Sequence, residues 1–218
     1  MEQYTERIGW EEYTFLDFAK RLIKPKPVLV DVGANVGQFT HAFSQKYHDF
    51  TGFAFEPVPA TYEALKANVP ECVKAYNYGL SDSQREQDIW LTPSRPSCSS
   101  LYHRPIFAKE SVKTPVKLTT LDLVACIFPW EIDYMKIDVE GHEYQVLQGG
   151  KHMFYEHRFR CIHFEYGDCW PLAKNTMHDM LQMLSPLYTV YNRDMKVINL
   201  NNWTKETYDL QNFLAVMK

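Results

Sequence analysis

Six ionisable side chains stand where chemistry would need them, each closing or directly following a predicted strand. Asp31 ends Val28-Leu29-Val30, Glu56 ends the run 51–55, and Glu165 ends the run 160–164; Asp138, Glu140 and His142 follow the run 133–137. In open α/β sheets ligands sit beyond the carboxyl ends of the strands, so these residues, far apart in sequence, are predicted to meet at one edge. Strand alternation adds that Lys136 and Asp138 share one face and His163 and Glu165 share one face, so neighbouring strands would bring four ionisable groups together. Lys136 is read as an internal partner for a carboxylate, because buried charges persist mainly when paired.

Asp31 opens the stretch Asp31-Val32-Gly33-Ala34-Asn35-Val36-Gly37. Gly33 and Gly37 lack the Cβ that would block a ligand, and the helix that follows offers unpaired N–H groups. With Ala34 and Asn35 they form the predicted cofactor turn. Glu56 lies roughly 20 residues past that turn, the spacing at which an acid reaches ribose hydroxyls. A dinucleotide such as NAD and S-adenosylmethionine both suit this layout. The dinucleotide fingerprint G-x-G-x-x-G requires a middle glycine, and here the turn reads Gly-Ala-Asn-Val-Gly. S-adenosylmethionine has no pyrophosphate and does not need it, so the methyl donor is the expected ligand. An NAD-dependent oxidoreductase and a non-catalytic binding module remain the alternatives.

Asp31 to Gly37, Phe55-Glu56-Pro57, Gly79-Leu80-Ser81-Asp82, Thr120-Leu121-Asp122 and the run from Lys136 to Glu143 resemble, in order, the motifs of FkbM-type methyltransferases. The resemblance runs from about residue 28 to Glu165. It implies a Rossmann-like class I fold, S-adenosylmethionine as donor, and O-methylation of a sugar or sugar-containing product. It also implies that Ser81 and Asp82 lie near the adenine. DNA amino-methylases carry a D/N-P-P-Y-like motif after the fourth strand; Asp138-Val139-Glu140-Gly141 stands there instead, which points to an oxygen acceptor.

A sugar hydroxyl is a poor nucleophile while protonated, so a base or a metal should assist it. Asp138, Glu140, His142 and Glu165 are the candidates. His142, with an ordinary pKa near neutral, is the expected base. Glu140 or Glu165 would orient it or the sugar, and Asp138 would shape the donor site. Asp138 and Glu165 could instead hold Mg²⁺, an oxygen-loving cation; the metal-free route is preferred because His142 supplies a base and Lys136 can neutralise one carboxylate.

The elements that must position these groups follow from the pattern of apolar residues. Residues 1–24 are predicted to form a helix covering the sheet or the cofactor cleft, stopped by Pro25 and Pro27. Helices are predicted after the glycine turn, with Phe39 and Phe43 on one face, and over 59–68, with Tyr62 and Leu65 inward. Further helices are predicted from a Thr119 or Thr120 cap, after Asp138 up to Gly149-Gly150, and over 176–184. Strands are predicted over 28–32, 51–56, 72–76, 85–91, 133–138, 160–165, 187–191 and 212–217, with a short one at 116. Residues 92–115 are irregular, and so long a loop is read as a lid with Ser99, Ser100, Tyr102, His103 and Arg104 facing the sugar. The result is one domain over 1–218, a doubly wound, mostly parallel sheet of about seven strands.

The composition fits that class. At 218 residues and 45% hydrophobic content the chain can bury a core without disulfides. Its five cysteines are odd in number and lack a C-x-x-C pair, the pattern of reduced thiols in a cytoplasmic protein. A formal net charge of −4 offers no general attraction to phosphate backbones, which argues against a nucleic-acid partner. No apolar leader and no stretch of ~20 apolar residues is visible, so no membrane span is expected.

Overall fold

Strand β1 (Val28–Val32) is buried at every position and lies inside the sheet, between β2 (Thr51–Phe55) and β7 (Ile132–Ile137). The computed structural model describes residues 9–218. In chain order it contains α1 (Trp10–Ala19), β1, α2 (Gln38–Lys46), β2, α3 (Pro59–Asn68), β3 (Val73–Tyr76), β4 (Gly79–Leu80) and β5 (Arg85–Leu91). There follow β6 (Val112–Thr119), β7, α4 (Glu143–Gln148), α5 (Lys151–Tyr155), β8 (Phe159–Tyr166), α6 (Met177–Leu184), β9 (Tyr188–Asn192), β10 (Val197–Ile198) and β11 (Gln211–Met217).

The main sheet has eight strands in the order β10-β9-β11-β8-β7-β1-β2-β3, one more than expected because the two-residue β10 adds an edge. β3, β2, β1, β7 and β8 run parallel, and β11 inserts antiparallel between β8 and β9. The chain leaves β1 toward β2 and β3, then returns past β1 to start β7. That reversal makes the carboxyl end of β1 the switch point at which such sheets form a crevice.

Alternation divides the core into two layers. Val28, Val30, Met135, Ile162 and Phe213 face one side, under α4 to α6. Leu29, Tyr134, Cys161 and Leu214 face the other, packed by Phe15 and Leu16 of α1 and Phe39 and Phe43 of α2. Burying each such side chain contributes about 1.5–3 kcal/mol, so α1 is held to the sheet by its apolar face. The predicted N-terminal helix is present over Trp10–Ala19 but stops short of residue 24, the chain turning from Lys20 before it reaches Pro25; its expected first turns fall on residues 1–8, outside the described residues. The register places Asp31 beside Lys136 and Lys136 beside His163, all on this second face.

Three expectations about the elements change. A second sheet, β4-β6-β5, sits over the crevice, and β6 begins at Val112, so the irregular connection spans 92–111 rather than 92–115. Pro115 is tolerated inside β6 because β4 pairs only with Leu118 and Thr119, leaving Pro115 without a partner on that side. No α-helix follows Thr120: its Oγ1 accepts from the Leu123 N–H (3.1 Å), and only a 3-10 turn, Ala125–Ile127, forms. Past Gly149-Gly150 the chain adds the unanticipated helix α5. Among the described residues no helix is long and apolar enough to cross a membrane.

Candidate functional site

The glycine turn is shaped by how closely other backbone passes it. Gly33 has φ +78°, and a Cβ there would lie 1.9 Å from the Asp138 carbonyl oxygen. Gly33 and Ala34 N–H both donate to the Phe55 carbonyl (3.0 Å each), which seats the turn on the end of β2. Asn35, at φ 50°, donates its N–H to Glu56 Oε2 (3.1 Å), and Glu56 Oε1 accepts from the Val58 N–H (2.9 Å). Glu56 therefore ties the turn to the start of α3 while each of its oxygens keeps a lone pair. Burial pushes its carboxyl up to about 7.

Asp31 is wholly buried, and burial raises its pKa. Its Oδ2 accepts from Thr40 Oγ1 (2.6 Å), while Oδ1 has no partner among the described residues. A cavity of about 390 Å³ opens here. Asp31, the turn from Gly33 to Asn35, and Glu56 form one wall. Val58, Leu80, Ile89 and Leu118 form an apolar slot beyond Glu56, and Pro96 to Ser99 with Leu101 close it from above. The rest of the lining includes the ionisable side chains of Lys136, Asp138, Glu140, His142 and Glu165. A second cavity of about 240 Å³, with Arg104, Asp168 and Tyr208 in its wall, shares Cys98, Glu140, Glu165 and Leu210 with the first.

The acids lie where the two cavities meet. Asp138, Glu140 and Glu165 each present an oxygen, and these lie within 4.8 Å of one another. Lys136 Nζ donates to Asp138 Oδ2 (2.7 Å) and lies 3.8 Å from Glu12 Oε1 of α1. Lys136 stays protonated despite its burial, because Asp138, Glu12 and Asp31 raise its pKa more than desolvation lowers it. Arg104 Nη1 donates to Glu140 Oε2 (2.9 Å), and Nη2 holds both oxygens of Asp168 (3.0 Å each). Burial, reinforced by neighbouring carboxylates, raises the pKa of both Glu140 and Glu165.

His142 is placed differently from the expectation of a free base. It is buried, and both ring nitrogens are engaged: Nε2 with Ser81 Oγ (2.8 Å), Nδ1 with Tyr102 OH (2.7 Å). Burial, then Arg85, depresses its pKa to about 4, so it is neutral at pH 7 and a weak proton acceptor. Its geometry is that of a knot joining β4, the 92–111 connection and α4.

Ser81 and Asp82 also stand away from the expected adenine contact. Ser81 is buried behind His142, and Asp82 pairs with Arg85 at the surface (2.8 Å); neither lines the cavity. Their neighbours Gly79 and Leu80 do. Within the connection, Ser99 faces the larger cavity, but Ser100 Oγ donates to the Glu140 carbonyl (2.7 Å) and His103 packs on Trp90 (4.2 Å between centroids). His163, on the face the alternation predicted, is sealed between Tyr134 OH (3.0 Å) and Asn212 Oδ1 (2.9 Å), below the cavity floor. Sequence reasoning missed Glu12, Asp168 and Tyr208 as wall residues. Only the capping position of Glu12 in α1 carried any signal, since its Oε2 accepts from the Gly9 N–H (2.6 Å).

Comparison with known proteins identifies the family and the fold. A family model described as the methyltransferase FkbM domain matches residues 31–194. Methyltransferase sdnD of Sordaria araneosa is 32% identical over 155 residues, covering 56% of this chain and 60% of its own. The hexuronic acid methyltransferase AglP of Haloferax volcanii is 34% identical over 125 residues, covering 56% of this chain and 49% of its own. The chain thus spans roughly half to three-fifths of the length of these relatives. M. capricolum TrmK, solved with S-adenosyl-homocysteine, superposes with a TM-score of 0.52 at 11% identity, over 98% of this chain and 70% of that one, a likeness of fold.

Proposed function

The chain belongs to the FkbM methyltransferase family, and from that premise we propose that it methylates a sugar oxygen with S-adenosylmethionine as donor. The observation that carries this reading is the pair of cavities meeting at Glu140 and Glu165, the larger running back to the glycine turn and Glu56. The residues fit the donor. The unpartnered Asp31 Oδ1 suits an ammonium group, the free lone pairs of Glu56 suit a ribose diol, and the slot between Val58, Leu80, Ile89 and Leu118 suits a purine. Family membership also weighs against the dinucleotide alternative, as does the missing middle glycine.

When bound, the donor supplies a sulfonium methyl group: the acceptor oxygen's lone pair forms the new O–C bond, and the S–C pair returns to sulfur. The protein's part is to hold the reactants in line and to take the proton the oxygen loses. Arg104, Asp168 and Tyr208 give the smaller cavity the polar groups that hydroxyls bind. Glu165, at the junction and without a hydrogen bond among the described residues, is the carboxylate placed to accept that proton; Asp138 is already bonded to Lys136 and Glu140 to Arg104. A sugar acceptor is also supported by the relative whose name specifies a hexuronic acid.

The test is a mass-spectrometric screen of free, nucleotide-linked and polymer-bound sugars with isotopically labelled donor. Donor-dependent gain of one methyl group on a sugar is expected. Methylation of protein or nucleic acid in preference to every sugar would overturn the acceptor assignment, and no binding of donor or its product would overturn the whole reading.

A further inference from the structure

The segment that leads into β11 builds part of the smaller cavity. β11 pairs antiparallel with the end of β8, Gln211 opposite Tyr166 and Asn212 opposite Glu165. The residues just before β11 are therefore delivered to the carboxyl edge of β8, where Tyr208 lines the smaller cavity and Leu210 lines both. Leu210 can lie over Gly167 because that residue has no side chain: a Cβ on it would come 3.1 Å from Leu210 Cδ1. Leu210 is 66% exposed, so most of its apolar surface is left uncovered at the cavity mouth. The geometry points to Tyr208 and Leu210 as an apolar platform that receives the C–H face of a pyranose acceptor. This inference rests on the sugar-oxygen reading and names the residues that would select the ring.

Tyr208 is held in a conformation it would not adopt freely. Its φ of 56° lies in the left-handed region, uncommon for a residue with a bulky side chain. Its N–H donates to Tyr166 OH (3.0 Å), which itself donates to Glu206 Oε2 (2.7 Å). The Tyr208 and Tyr166 rings stack at 17° with centroids 5.6 Å apart. Glu206 also accepts from the Met177 and His178 N–H groups at the start of α6. Tyr166 is wholly buried, so the half-buried Tyr208 ring rests on a fixed support. Backbone strain maintained by its surroundings in this way is characteristic of ligand clamps.

The chemistry of the cavity fits a sugar ring. An aromatic face carries negative charge density and attracts positively polarised C–H hydrogens, and Leu210 extends the apolar surface. Apart from Cys98, the rest of the lining is polar: Arg104, Glu140, Glu165 and Asp168. A pyranose matches both, with C–H groups on its faces and hydroxyls round its rim. Tyr208 and Leu210 also lie beyond the stretch 31–194 that the family model matches, while Asp31, the glycine turn and Glu56 lie within it. Acceptor choice can therefore differ between relatives while donor binding is kept.

The experiment is saturation-transfer difference NMR of the full chain, with S-adenosylhomocysteine present, against the methyl pyranosides of glucose, galactose, mannose, N-acetylglucosamine and glucuronic acid. At least one should bind, with saturation strongest at the C–H protons of one ring face. Tyr208→Ala should weaken that binding by at least about fivefold and Leu210→Ala by at least about threefold, whereas Tyr208→Phe should stay within about twofold, because the ring makes the contact. Wild-type protein that binds none of the five, folded alanine variants that bind as well as wild type, or a Tyr208→Phe loss as large as that of Tyr208→Ala would overturn the inference. If Tyr208→Ala does not fold, Leu210→Ala, at an exposed position, decides. Calorimetry with S-adenosylhomocysteine keeps the two readings separate. Wild-type protein that binds it but no pyranoside loses the platform and keeps the donor site; one that binds a pyranoside but not S-adenosylhomocysteine keeps the platform and loses the donor site.

Discussion

Glu56 offers the most demanding test of the donor site, because one residue should govern affinity, stability and their pH dependence together. Its carboxyl is raised from 4.5 to about 7 by burial, against the pull of two backbone N–H groups. The folded, unliganded protein therefore prefers it protonated. Stability from this group is full below pH 4.5 and falls as pH rises toward and through about 7, by about 3 kcal/mol in all. Donor binding has the opposite preference, since an ionised carboxylate accepts better from two ribose hydroxyls. At pH 6 about one carboxyl in ten is ionised, so affinity for S-adenosylhomocysteine should be about tenfold lower there than at pH 8. Glu56→Gln should bind roughly tenfold or more weakly at pH 8, where charge-assisted bonds contribute about 1.5–3 kcal/mol each. It should also lose that part of the pH slope. Titration calorimetry from pH 6 to 8.5 on both proteins isolates the residue, because other titrating groups, including Glu143 at about 7, are common to both. Urea unfolding in parallel reads the stability term. Equal pH slopes in the two proteins, or affinities within about twofold at pH 8, would refute the assignment.

Three other outcomes are expected. His142→Ala should cost about 1–3 kcal/mol of stability, by stranding the Ser81 and Tyr102 hydroxyls, yet slow turnover less than about fivefold in folded protein; a loss of 10²–10⁴ on the order seen for general bases, measured with donor affinity intact, would restore its role as base. Arg104→Met should raise the acceptor KM while leaving donor affinity within about twofold, because Arg104 and its partner Asp168 line the smaller cavity, the proposed acceptor side; a change confined to donor affinity would show that Arg104 serves the donor instead. Gly33→Ala should lower the melting temperature sharply, a cost of about 3 kcal/mol or more, since its Cβ would meet the Asp138 carbonyl at a positive φ; an unchanged melting curve would mean that the turn is looser than described.

The parts of this molecule legible from sequence are those governed by short-range rules. Five consecutive apolar or acidic positions at Val28–Val32 demanded a strand buried on both faces, and the structure buries all five. Period-two alternation put Lys136 with Asp138, and they are bonded at 2.7 Å. The acid after β2 stood at the spacing of a ribose ligand, and it is tied to the turn through Asn35. The parts not legible depend on pairing across distance. The first half of β6, 112–115, reads as irregular because Pro115 interrupts it; it becomes strand by pairing with β5 from Arg85↔Leu118 to Leu91↔Val112. Glu12 reads as an ordinary first-turn acid of a helix. Only the packing of Phe15 and Leu16 against Leu29 and Tyr134 carries it to Lys136.

The chemistry of the junction follows from the same distinction. A histidine opening a helix reads as a base because its unperturbed pKa is near neutral, but a base also needs a free lone pair facing the substrate. That second condition is decided by Ser81, 61 positions away, and Tyr102, 40 positions away, and both groups claim the ring. The connection that brings Tyr102 to His142 also brings Arg104 to Glu140 and Ser100 to the Glu140 carbonyl. One segment thus occupies Nδ1 of the histidine and holds one of the three carboxylates. Lys136 fixes the second from below. Glu165 alone stays uncommitted among the described residues, at the boundary of the two cavities. On the proposed function, the group positioned to meet an incoming acceptor is therefore the one whose neighbours are all taken, a property of the assembled network that no local stretch of sequence contains.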